Sequence, residues 1–80
     1  MSSTKTPIEQ RLATNVRSAR KAMNLTQTRL GLLAGINLRY VQDIEAGRRN
    51  PSVGVVEGLR KALDCGWEDL LEHRKGPKKR

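Results

Sequence analysis

The stretch LTQTRLGLLAGINLRYVQDIEAGRRNPS, Leu25 to Ser52, decides how this chain reads. Thr26 is a good N-cap for a short helix from Gln27 to Ala34. Gly35 is suited to end that helix in a left-handed conformation. Asn37 offers the next N-cap, opening a helix from Leu38 to Ala46 that Gly47 closes. Helices this short are unstable alone and need tertiary packing. The two must therefore lean on each other and on the rest of the chain.

Two short helices joined by a three-residue, glycine-containing turn, here Gly35-Ile36-Asn37, make a helix-turn-helix. In that motif the second helix enters the DNA major groove and its first turn meets base edges. The physical requirements are met residue by residue. A close helix crossing needs a small residue, and Gly31 is one. The turn needs a residue tolerant of positive φ, and Gly35 is one. Ile36 and Val41 are placed to plug the angle between the helices. Gln27, at the N-terminus of the first helix of the motif, is placed to meet a phosphate. Arg48, Arg49 and Asn50, in the loop after the second, are placed to meet the backbone again.

Outward from this stretch the pattern stays helical. Leu12, Val16, Ala19 and Met23 form one apolar stripe from Ile8 onward, with Arg11, Asn15, Arg17 and Lys21 off it. Pro7 suits the first turn, and Asn24 can end this helix. Ser52 caps a further helix over about residues 53–63, with Val56, Leu59 and Leu63 inward. Gly54 and Gly58 inside it are each expected to weaken it by about 1 kcal/mol relative to Ala. A fifth short helix spans about residues 67–72. No strand-like alternation, internal repeat or glycine-rich phosphate loop is present. The expected organisation is a disordered arm at 1–7, one helical domain at 8–72 and a basic tail at 73–80.

The 80 residues make one domain. Cys65 is the only cysteine, so no disulfide supports the fold, in keeping with a reducing compartment. One Cys and His73 make no metal ligand set, and no cofactor or small-molecule ligand is expected. No nucleophile–base arrangement for catalysis is offered. The N-terminal MSSTKTPIEQ lacks the apolar core of a signal peptide, and no run approaches a membrane span. The expected location is the cytoplasm, with the nucleoid. Net charge is +8. The tail residues Arg74, Lys75, Lys78, Lys79 and Arg80 hold five of the positive charges, yet residues 1–50 alone carry nine Lys/Arg against three Asp/Glu. The basic excess thus reaches the opening stretch, the footprint of a nucleic-acid binder.

The chain resembles the Cro and phage-repressor type (XRE-like) of helix-turn-helix DNA-binding domain over about residues 9–71. The resemblance is carried by LTQ opening the first helix of the motif, LAG before the turn, IEAGRRNPS across the end of the second helix, and ALDCGWEDLL at the last. It implies an all-α, five-helix, lambda-repressor-like bundle. It also implies a structural pair between Arg20, late in the first helix, and Glu45, near the end of the third. Departures from the family pattern are Leu32 and Leu33 at usually polar places, Arg60 where a small residue is usual, and the glycines at 54 and 58.

Among the exposed positions of the third helix, Arg39 is either a solvated residue or a base reader, its guanidinium matching guanine O6 and N7. Leu38, if it reaches DNA, touches only a thymine methyl. Gln42 and Asp43 compete for the next exposed face. Asp43 matches the family's reading position, where its carboxylate either accepts from cytosine N4 or orients Arg39 at i+4. Tyr40 is either core padding or a phosphate donor. Trp67, Leu70 and Leu71 either form a dimer patch or complete the core. The reading is a sequence-specific, double-stranded DNA-binding transcriptional regulator, not an enzyme, acting as a homodimer on a near-palindromic operator. The alternatives are an antitoxin-like or restriction-modification controller-type regulator with a protein partner, and a protein-interaction module on the same fold.

Overall fold

The computed structural model describes residues 7–72, so the expected arm, apart from Pro7, and the expected basic tail lie outside the described residues. Five helices follow in order: α1 (Ile8–Ala22), α2 (Gln27–Ala34), α3 (Leu38–Glu45), α4 (Val53–Ala62) and α5 (Trp67–Leu71). The all-α, five-helix expectation is met, and among the described residues there is no strand. No described helix is long and apolar enough to cross a membrane.

The boundaries follow from local chemistry. Thr26, Asn37 and Ser52 each accept a hydrogen bond from the backbone N–H three residues on, capping α2, α3 and α4. Pro7 is the N-cap of α1 and not a first-turn residue. At the other ends one device recurs. Asn24, Gly47 and Asp64 all adopt positive φ. Each donates its N–H to the carbonyl three residues back, while the next residue bonds five back. This is the Schellman turn, which satisfies carbonyls that the helix leaves open. Its use at Asp64 was not anticipated from the sequence.

The core is aliphatic: Leu12, Val16, Leu30, Val41, Ile44, Val56, Leu59, Leu63 and Leu70 form one cluster. One expectation changes. The α1 stripe ends at Ala19, because Met23 lies at the helix C-cap and is 44% exposed. In α2, Ala34 packs against the core and Leu33 is exposed.

Two glycines set the packing distances. A Cβ at Gly31 would stand 2.6 Å from the Ile36 carbonyl oxygen, so the turn can fold over α2 only because that position is bare. A Cβ at Gly58 would stand 2.8 Å from the Ala34 carbonyl oxygen. Gly58, expected only to weaken α4, is what lets α4 close onto α2. Asn15, placed off the α1 stripe by pattern, is in fact buried. Its Nδ2 donates to Leu70 O and Glu72 O, both at 2.8 Å, and Arg11 Nε donates to Leu71 O at 3.0 Å. These side chains of α1 satisfy the open carbonyls at the end of α5 and tie the last helix to the first.

Candidate nucleic-acid interface

The frame behind α3 is polar and buried. Glu45 is 4% exposed. Arg20 grips it with two parallel bonds, Nε to Oε2 at 2.7 Å and Nη2 to Oε1 at 3.1 Å. The third guanidinium nitrogen donates to Leu25 O at 2.9 Å, tying down the α1–α2 loop. Gln27 Nε2 adds a bond to Glu45 Oε1 at 3.0 Å. One carboxylate thereby joins α1, the loop, α2 and α3, and the expected Arg20–Glu45 pair is present. A bidentate, charge-assisted arrangement fixes angle as well as distance. Arg17 Nη1 also donates to the Glu45 carbonyl at 2.9 Å, placing a cation at the C-terminal end of α3. Pattern reading set Arg17 off the apolar stripe and assigned it nothing. Its i, i+3 relation to Arg20 was the available signal.

The other face of α3 is open. Leu38, Arg39 and Gln42 are exposed, as are Arg48, Arg49 and Asn50 in the following loop. The structure gathers Arg39, Asp43, Arg48, Arg49 and Tyr40 into one cluster. Asp43 Oδ1 accepts from Arg48 at 2.8 Å and from Arg39 at 3.4 Å. The guanidinium carbon of Arg49 lies 4.1 Å from the centre of the half-buried Tyr40 ring, a cation–π distance. The hydrogen bond from Arg48 holds the Asp43 carboxyl below its usual range, against partial burial and with help from the charge of Arg39.

Two candidates are placed by their surroundings. Gln27, foreseen at a phosphate, is half-buried and has one amide N–H engaged by Glu45. It is part of the frame. Leu70, weighed for a dimer patch or for the core, has no exposed surface and belongs to the core. Leu70 is the one buried side chain of this five-residue helix, and through it α5 is anchored in the bundle. Trp67 remains 36% exposed, with the Arg60 guanidinium 5.6 Å from its ring centre, and Leu71 is half-buried.

A bundle that buries the frame of a helix-turn-helix and leaves the outer face of the second helix open beside an arginine-bearing loop defines a class, and similarity to known proteins agrees. The helix-turn-helix family model matches residues 16–70. This chain belongs to the helix-turn-helix family, a class of DNA-binding transcriptional regulators. It is similar to an uncharacterised HTH-type transcriptional regulator, y4mF, of Sinorhizobium fredii, 37% identical over 73 residues, 89% of this chain and 93% of the relative. It is also similar to the control protein C.SmaI of Serratia marcescens, 37% identical over 64 residues, 80% of this chain and 76% of the relative. Among solved structures it is similar to the restriction-modification controller protein C.AhdI from Aeromonas hydrophila. The TM-score is 0.75 and the identity 32%, covering 78% of this chain and 94% of that one.

Proposed function

We propose that this chain is a sequence-specific regulator that lays α3 in the major groove of double-stranded DNA and binds a near-palindromic operator as a homodimer. The observation that carries this is the two-sidedness of α3. Its inward face is fixed by the buried Arg20–Glu45–Gln27 network, and its outward face presents Arg39 and Gln42 between Leu38 and the Arg48-Arg49-Asn50 loop. Arg39 and Gln42 are suited to read bases, the first to guanine and the second to adenine. Arg48, Arg49 and Asn50 are suited to phosphates, which position a protein without carrying sequence information. Tyr40 supports Arg49. The dimer surface is centred on Trp67 and Leu71, and the place of action is the cytoplasm, at the nucleoid. Selection of bound sequences from a random duplex pool tests the reading. It should return a motif with twofold symmetry and half-sites about one helical turn apart. A selected pool indistinguishable from its input would contradict it.

A second reading is narrower. Two of the similar proteins bear the names control protein and restriction-modification controller protein. This supports a role for the chain as the controller of a restriction-modification system. Genes for an endonuclease and a methyltransferase beside its own would bear this out, and their absence would leave a regulator of other genes.

A further inference from the structure

Asp43 sits where three arginines meet. Its Oδ1 accepts from Arg48 Nη2 at 2.8 Å and from Arg39 Nε at 3.4 Å, and its Oδ2 lies 4.0 Å from Arg49 Nη1. The three come from two directions. Arg39 is one turn earlier on α3, and Arg48 and Arg49 come from the loop beyond it. The Schellman turn at Gly47 makes them converge. Gly47 N–H donates to Ile44 O at 3.0 Å and Arg48 N–H to Asp43 O at 2.9 Å, so the chain turns back on the last turn of α3. Arg48 is thus fastened to Asp43 twice, by backbone and by side chain. Arg49 is held on its other side by the Tyr40 ring. The Asp43 side chain is 15% exposed, and those of Arg39, Arg48 and Arg49 are 78%, 62% and 49% exposed. The carboxylate lies recessed and the cations face outward.

We propose that Asp43 is a positioning residue that sets DNA specificity, ordering Arg39, Arg48 and Arg49 into one outward array while its fixed negative charge opposes their capture by phosphates in an arbitrary register. The inference rests on the DNA-binding reading above. A guanidinium has five N–H donors, so Arg39 and Arg48 can keep their bonds to Asp43, and Arg49 its ion pair, and still present donors to DNA from a set position. An arginine drawn off by a phosphate out of register leaves the carboxylate less paired in a field of phosphates, which is unfavourable. Both carboxylate oxygens face guanidinium groups. This disfavours the simpler role of accepting directly from cytosine N4 and favours action through Arg39.

The test uses the full chain with two duplexes, the preferred site from the selection and a random sequence, and the variants Asp43→Asn, Arg39→Ala and their double. Asp43→Asn is expected to bind the random duplex about 2–10-fold tighter, the scale of losing exposed charge pairs. Its preference ratio should fall about tenfold. In the double variant the ratio should be no lower than in Arg39→Ala alone, because residues acting as one unit are not additive. Asp43→Glu keeps the charge at a longer reach. It should stay closer to wild type than Asp43→Asn in affinity for random DNA and lose part of the ratio, which a purely structural role would not separate. The thermal midpoint of each variant reports folding. If Asp43→Asn leaves both affinities unchanged, or if its loss of preference multiplies with that of Arg39→Ala, Asp43 does not act through the arginines and the proposal is overturned. Wild-type protein that prefers no duplex would instead overturn the DNA-binding reading, before any variant is compared.

Discussion

Glu45 has two nitrogens of Arg20 and one of Gln27 on a carboxylate that is almost wholly enclosed, and this governs what single substitutions should do. Such a pair need not add to stability relative to an apolar replacement, but removing one partner strands the other charge. Arg20→Ala and Glu45→Ala should each destabilise by roughly 1–3 kcal/mol. The double variant should cost less than the sum of the two in urea unfolding. Strict additivity would mean that the charges do not interact in solution. Outward residues should behave differently. Arg39→Ala should lose about 1–3 kcal/mol of binding on the preferred site and relax preference at one base position. Arg49→Ala should weaken all sequences alike, since phosphates are the same everywhere. A binding comparison in which Arg49→Ala changed the selected motif and Arg39→Ala did not would show that the register assigned to α3 is wrong.

At the level of elements, the three glycines inside helices separate cleanly. Gly31 and Gly58 face the backbone carbonyls of Ile36 and Ala34 at distances no Cβ tolerates, whereas Gly54 faces only Ser52 Oγ, at 3.9 Å. Gly31→Ala and Gly58→Ala should therefore lower stability by about 1–3 kcal/mol through overpacking. Gly54→Ala should raise it by up to about 1 kcal/mol through helix propensity. Thermal unfolding of the three distinguishes these signs, and a stabilised Gly58→Ala would mean that α4 does not approach α2 so closely. Along α4, Glu57 meets Arg60 at 3.3 Å and Lys61 at 3.5 Å. The hydrogen bond from Arg60 holds the Glu57 carboxyl below its ordinary 4.5, with the charges of Arg60 and Lys61 adding to it. A depressed carboxyl contributes stability that is present above its unfolded value and lost as pH falls through its folded value. Wild type should therefore exceed Glu57→Gln in thermal midpoint at neutral pH, and the difference should close on acidification below about 4.5. A difference that widened in acid would reverse the assigned direction.

For the molecule as a whole, the sequence was most legible where local chemistry is decisive. Thr26, Asn37, Ser52, Gly35 and the aliphatic spacing placed the helices to within a residue or two, because caps and apolar periodicity act over a few residues. What stayed hidden depends on contacts across the chain. Asn15 looked solvated because an amide on α1 finds its acceptors only at the end of α5, more than fifty residues away. Gly58 looked like a defect because its use lies in α2. Leu70 looked available for a partner because a helix of five residues does not reveal which of its leucines the bundle takes. Asp43 was seen beside Arg39, but its link to Arg48 needs the turn at Gly47. The central claim is that the outward face of α3 and its loop meet the phosphates of duplex DNA. It is tested most directly by the salt dependence of binding to the selected site. A dimer neutralising about 4–8 phosphates should give a slope of log K against log salt of about −4 to −7. A slope near zero would contradict the account.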